Sequence, residues 1–288
     1  MEFLERLASP SSGLLTNPFQ SATMMVGVII GGFIMNMTPN VHANEPLEHL
    51  EKSPRHQEWV KITAADGRVI DAFVVFPEVK EKATAVVVIH EIFGLTDWVR
   101  SVGDELAKHG FVAICPDLLS GAGPKGGGTD SFASSDDVRK AIRDLDADKI
   151  TTDLKAVVKY VRDLPSTTDK VAVAGFCWGG GQTFRFATND ASIGAAFVFY
   201  GGPPKKEDIG RIACPVYGFY GENDERINST IEETKGAMAE ARKLYEPVIY
   251  PGVGHAFLRR GMEASANEAE KTATREAWER LVKRINQL

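Results

Sequence analysis

Cysteine is scarce in this 288-residue chain, which carries only Cys115, Cys177 and Cys214. That density excludes a fold stapled by disulfides, and an odd count leaves at least one free thiol even in an oxidising compartment. Cys115 ends one apolar run and Cys214 precedes another. In a parallel sheet these sites lie at opposite strand ends, roughly 15 Å apart, too far to bridge, so both read as inert buried thiols. Basic clustering is also lacking: 33 Lys and Arg stand against 39 Asp and Glu, for a net charge of -6, and no basic stripe interrupts the scatter. No field is present that would hold a polyanion, so nucleic acid is not an expected partner. With 43% hydrophobic and 25% charged residues, the composition excludes disorder and fibrous repeats and fits a soluble α/β body. Neither an internal repeat nor an inter-domain linker is evident.

Charge is missing altogether between Arg6 and Glu45, and residues 24–37 are almost wholly apolar. An apolar centre of about 14 residues is short for a bilayer span of roughly 20 but suits the hydrophobic region of a signal peptide. Val41-His42-Ala43 then supplies small residues at a cleavage spacing, with Asn44 as the mature start. The expectation is therefore a leader over residues 1–43 and an exported, periplasmic or secreted body over residues 44–288. The alternative is an uncleaved anchor at residues 21–37, the only route to a membrane that the sequence offers.

After the leader, residues 58–62 and 68–76 alternate apolar and polar around Asp66-Gly67 and predict an antiparallel hairpin. The rhythm then changes. Continuous apolar runs at 83–89, 111–115, 171–176, 195–200, 216–220 and 248–250 predict strands buried on both faces of a mostly parallel sheet. Helical patterns fall between them at 97–109, 137–163, 179–188, 229–245 and 266–285, giving the alternation of a doubly wound fold. Residues 121–135, rich in Gly and Ser, predict a loop after a strand's C-terminal end, where it would wall a ligand site.

Gly175-Phe176-Cys177-Trp178-Gly179 stands between a predicted strand and a predicted helix. This is a nucleophile elbow with Cys in the place of Ser: the turn is tight, and a Cβ two residues before or after the nucleophile would strike its surroundings. The helix N-terminus favours thiolate at Cys177 and offers the backbone N–H of Trp178 to an oxyanion. A thiol nucleophile needs a base, and this architecture presents nucleophile, acid and histidine in that chain order. Asp224 follows the strand ending at Tyr220, and His255 follows the strand ending at Tyr250. Of the six histidines only His90 and His255 follow strands, and only His255 lies after the acid. His90-Glu91 is not a metal chelate, because neighbouring strand residues point to opposite faces, and neither metal nor organic cofactor is implied.

From about residue 58 onward, His90-Glu91-Ile92-Phe93-Gly94, the Gly-Phe-Cys-Trp-Gly-Gly elbow, Gly-Glu-Asn-Asp and Gly-His-Ala-Phe together resemble the dienelactone hydrolase (carboxymethylenebutenolidase) family. The resemblance implies an α/β-hydrolase fold with Cys177 as nucleophile, His255 as base and Asp224 orienting it. It makes the N–H groups of Ile92 and Trp178 the oxyanion hole and Glu91 the carboxylate that meets the resting thiol. Arg259, four residues after His255, matches an arginine that grips a substrate carboxylate. The family's second such arginine would fall near Ser135, where none is in register. Arg139 or Arg143 would have to substitute, or the site takes neutral esters. The implied reaction is hydrolysis of a small ester or lactone through a thioester. Its rivals are a promiscuous carboxylesterase of the same fold and a non-catalytic binding protein on a hydrolase scaffold.

Overall fold

The computed structural model describes residues 45–288, so the leader expected over residues 1–43 lies outside the described residues. Eight strands, β1 (Gln57–Thr63), β2 (Val69–Val75), β3 (Ala83–Ile89), β4 (Val112–Pro116), β5 (Thr167–Phe176), β6 (Ala195–Phe199), β7 (Val216–Gly221) and β8 (Tyr245–Tyr250), form one sheet. Its order is β1-β2-β4-β3-β5-β6-β7-β8. The β1–β2 hairpin is antiparallel and turns through Gly67 at φ +84, and β2 also lies antiparallel on β4. Every other pairing is parallel.

Among the described residues nine α-helices accompany the strands: α1 (Glu45–Lys52), α2 (Asp97–Lys108), α3 (Ser135–Arg143), α4 (Ala147–Arg162), α5 (Trp178–Ala187), α6 (Glu225–Asn228), α7 (Ile231–Glu240), α8 (Phe257–Gly261) and α9 (Glu268–Ile285). Side-chain alternation assigns them to two layers. Val86 and Val88 of β3 point to the face covered by α2 and α9, through Val99, Val102, Leu106, Ala277 and Leu281. Val87 and Ile89 point to the other face, covered by α4, α5 and α7 through Leu154, Val158, Phe184 and Met238. Strands buried on both sides have no polar face to show, which is why they read as unbroken apolar runs.

Two helical expectations are corrected. The pattern at 137–163 is two helices, because Asp146 accepts from the backbone N–H groups of Asp148 and Lys149 and so starts α4 afresh. The pattern at 229–245 breaks up as well. Helix α7 stops in a Schellman turn, with Arg242 at φ +56 and bonds from Arg242 N to Ala239 O and from Lys243 N to Met238 O. Tyr245 onward then pairs with β7, so β8 starts three residues before the predicted run. Helices α1, α6 and α8 fall outside every predicted helical pattern.

Cys115 and Cys214 are free and buried, and burial pushes both thiols up to about 12. Their separation is lateral: β4 and β7 are four strand steps apart, about 19 Å at roughly 4.8 Å per step.

Candidate active site

Strand β5 ends at Phe176, and Cys177 turns the chain into α5 with φ 56 and ψ −116. A non-glycine residue held there stores about 1–3 kcal/mol, which the flanking packing must over-determine. That packing is tight. A Cβ on Gly175 would lie 2.3 Å from Gly179 O, and one on Gly179 would lie 2.3 Å from His90 O and 2.4 Å from Ile89 O. Cys177 N donates to Phe199 O at 3.0 Å, which ties the elbow to β6.

Asp224 follows β7 and is only 6% exposed, while His255 follows β8 at the entrance to α8. The loops carrying them are joined through Asn223 N donating to Val253 O at 2.9 Å and Gly252 N donating to Glu222 Oε2 at 2.8 Å. His255 Nδ1 lies 2.6 Å from Asp224 Oδ2. A carboxylate at Nδ1 fixes the tautomer with its proton there and leaves Nε2 as an acceptor. The ring of Tyr200 meets His255 edge-on at 5.0 Å.

The backbone N–H groups of Ile92 and Trp178, the two donors implied for an oxyanion hole, both act on Cys177 and favour its ionised form. Their effect on the resting thiol is overridden. Burial and the nearby Glu91 push the Cys177 thiol up, outweighing the N–H groups of Trp178 and Ile92 and the charge of Arg226. The helix terminus does favour thiolate, but desolvation and a like charge act together and outweigh it.

Glu91 is 3% exposed, and burial raises its carboxyl to about 7 against the opposing pull of Arg259. Arg259 Nε lies 3.2 Å from Glu91 Oε2. This is an ion pair without an aligned hydrogen bond, since the Nε–H has no acceptor in line. Nη1 of Arg259 lies 3.5 Å from Glu263. Thus Arg259 stands against two carboxylates of its own chain. His90 is structural in its contacts: it is wholly buried, its Nδ1 lies 2.8 Å from Glu91 O, and its Nε2 accepts from Leu118 N at 3.3 Å.

A cavity of about 600 Å³ opens at Cys177, with Ile92, Trp178, Tyr200, Pro203 and Arg226 among its walls. Residues 121–135 do not wall it. Gly121, Ala122, Pro124, Phe132 and Ala133 instead line a larger cavity of about 790 Å³ beside α3 and α4, away from the elbow. Phe132 packs against the same small cluster, Leu119, Val138 and Ile142, as Ile92 and Trp178 do. Arg139 lies over the Phe93 ring at 5.8 Å and pairs with Asp136, and Arg143 is exposed on α3. Neither lines the Cys177 cavity.

Sequence reading missed Tyr200 and Arg226. Tyr200 is fully buried at φ 40 with its hydroxyl unpartnered, and the charges of Glu91, Cys177 and Arg259 all act on it. Its only signal was position, at a strand's C-terminal end before Gly201-Gly202. Among the described residues no cluster of three or more His, Cys, Asp or Glu is placed to hold a metal.

The sheet order, the elbow after β5 and the loops after β7 and β8 define an α/β hydrolase. Residues 70–288 match the dienelactone hydrolase family, and the chain belongs to it. A Methylorubrum extorquens protein assigned by inference as a carboxymethylenebutenolidase is 30% identical over 210 residues, covering 69% of this chain and 71% of the relative. A Saccharolobus solfataricus protein with the same assignment is 29% identical over 250 residues, 75% of this chain and 93% of its own. A solved structure from Klebsiella pneumoniae, assigned as a dienelactone hydrolase, superposes with a TM-score of 0.71 at 25% identity, covering 81% of this chain and 99% of its own.

Proposed function

We propose that this hydrolase cleaves a small carboxylic ester or lactone through a thioester on Cys177, with Asp224 and His255 completing a triad. The observation that carries the reading is a cysteine held at positive φ on a strand-to-helix elbow, with His255 Nδ1 2.6 Å from Asp224 Oδ2 on the loops that follow β7 and β8. In the free site the thiol is protonated and faces Glu91. Substrate entry displaces the carboxylate, which takes the thiol proton, and the sulfur adds to the carbonyl carbon. The N–H groups of Ile92 and Trp178 hold the oxyanion while the C–O bond breaks, and the expelled alkoxide or enolate receives the proton from Glu91. His255 then accepts a proton from water as the water attacks the thioester, and returns it to the departing sulfur. Atoms and protons balance to one ester bond hydrolysed.

Residues 1–43 support a second part of the proposal, that the enzyme is exported. A sulfur kept protonated until substrate arrives resists stray oxidation there.

Cys177→Ala tests the chemistry. It removes the nucleophile and leaves the glycines of the turn in place, so ester and lactone hydrolysis should fall below a few per cent of wild type with an unchanged melting temperature. Cys115→Ala and Cys214→Ala should retain hydrolysis. Turnover above a few per cent in Cys177→Ala would rule out the thioester.

A further inference from the structure

The chain lacks an arginine in register near Ser135, and its Arg259 is held against Glu91 and Glu263. The cavity at Cys177 is nevertheless rich in cations. Arg185, Lys205 and Arg226 line it against a single acid, Asp208, which pairs with Arg211. The three cations differ in what they are free to do. Arg185 donates from Nε to Gln182 at 2.8 Å and from Nη1 to Thr151 at 2.8 Å, and its remaining Nη2 is buried away from solvent. Lys205 is an exposed point charge on the rim. Arg226 alone offers an exposed guanidinium fork, and among the described residues its side chain has no hydrogen-bond or ion-pair partner.

The backbone under Arg226 is fixed although its side chain is free. Ile227 is buried with Tyr220 and Ile231, Ile227 N donates to Asp224 O at 3.1 Å, and Asn228 Nδ2 donates to Gly221 O at 2.8 Å. Arg226 therefore stands two residues from Asp224 on an element anchored to the strand that also carries the acid. Its charge acts on the sulfur of Cys177 and favours thiolate there.

We propose that Arg226 determines specificity by pairing with an anionic group of the substrate, a carboxylate or a similar planar oxyanion, while the scissile carbonyl sits at Cys177. A planar fork with no protein partner matches such a group in two parallel hydrogen bonds, and charge-assisted pairs of that kind discriminate strongly. The same fork lowers the cost of placing an anion near Glu91. The assignment deepens the proposed function and rests on Cys177 as the nucleophile.

The test compares 4-nitrophenyl hemiglutarate with 4-nitrophenyl valerate, anionic and neutral esters of similar length, in wild type, Arg226→Gln and Arg226→Lys. The anionic-to-neutral ratio of kcat/KM should fall about 10- to 100-fold in Arg226→Gln, chiefly through KM, with Arg226→Lys in between. A second readout needs no turnover: glutarate should slow alkylation of Cys177 by iodoacetamide in wild type, and this protection should be lost in Arg226→Gln. An unchanged ratio, an equal loss for both esters, or no glutarate protection in wild type would each overturn the role of Arg226. Hydrolysis persisting in Cys177→Ala would instead overturn the thioester, and the ratio would still report on Arg226.

Discussion

Glu91 shows how much a single side chain can be made to do by burial. In water its carboxyl would ionise near 4.5, yet inside the site it titrates at about 7 because desolvation outweighs Arg259. The folded state thus keeps a proton that the unfolded chain has released. Stability from this group falls as pH rises from about 4.5 to 7 and is lowest above that, by about 3 kcal/mol at 1.36 kcal/mol per pKa unit. Glu91→Gln removes the titration, so its stability relative to wild type should be greater at pH 8 than at pH 4.5, as read from urea midpoints at the two pH values. Equal differences at both would mean that Glu91 is solvated. In turnover the same variant should lose about 10-fold or more in kcat, since a proton acceptor is gone. Its resting Cys177 should react with iodoacetamide at least as fast as wild type, because the charge opposing thiolate has been removed. Wild-type kcat in Glu91→Gln would leave His255 as the only base required.

At the scale of elements, legibility depended on whether the cause was local. The elbow was readable because the constraint on it is steric and near in sequence: Gly175 and Gly179 lie against backbone, which cannot move aside. Gly179→Ala should therefore abolish folding or soluble expression. Gly67→Ala, with open space around its Cβ and only φ +84 against it, should cost about 1–2 kcal/mol. Comparable losses from the two would remove the packing argument. The break between α3 and α4 was not readable, since both halves keep one apolar stripe through Val138, Ile142, Ile150 and Leu154. What separates them is one cap, so Asp146→Ala should cost about 1 kcal/mol in thermal unfolding and leave hydrolysis intact. The start of β8 was hidden for the opposite reason. Tyr245 and Glu246 are strand only because β7 lies alongside, a fact with no signal in their own neighbourhood.

At the scale of the molecule, α1 is the first described element, and besides burying Leu50 in the core it is tied to the body through one buried acid. Asp104 of α2 is 0% exposed and receives Ser53 Oγ at 2.6 Å and Arg55 Nε at 2.9 Å, with His49 Nε2 at 2.7 Å. Burial opposes its ionisation, but the bonds from Arg55 and Ser53 prevail and hold its carboxyl below the ordinary range. A lowered carboxyl contributes stability above its unfolded value that is lost as pH falls through the folded one. Asp104→Asn should accordingly destabilise by about 3 kcal/mol at neutral pH, with a gap from wild type that closes in acid. A constant gap would show that geometry alone matters. If the leader is removed as we propose, N-terminal sequencing of protein from its native host should begin near Asn44, just ahead of α1. A full-length cytoplasmic species would refute export. The sequence by itself determined the strand-and-helix alternation, the elbow and the order Cys177, Asp224, His255, because periodicity and turn sterics act over a few neighbouring residues. Only the tertiary structure decided that Glu91 is buried enough to titrate at about 7, that Arg259 faces Glu91, and that Arg226 is the free guanidinium of the cavity. Those outcomes depend on desolvation and on charges brought together from β3, β5, β7 and α8, and such quantities exist only once the sheet has closed over them.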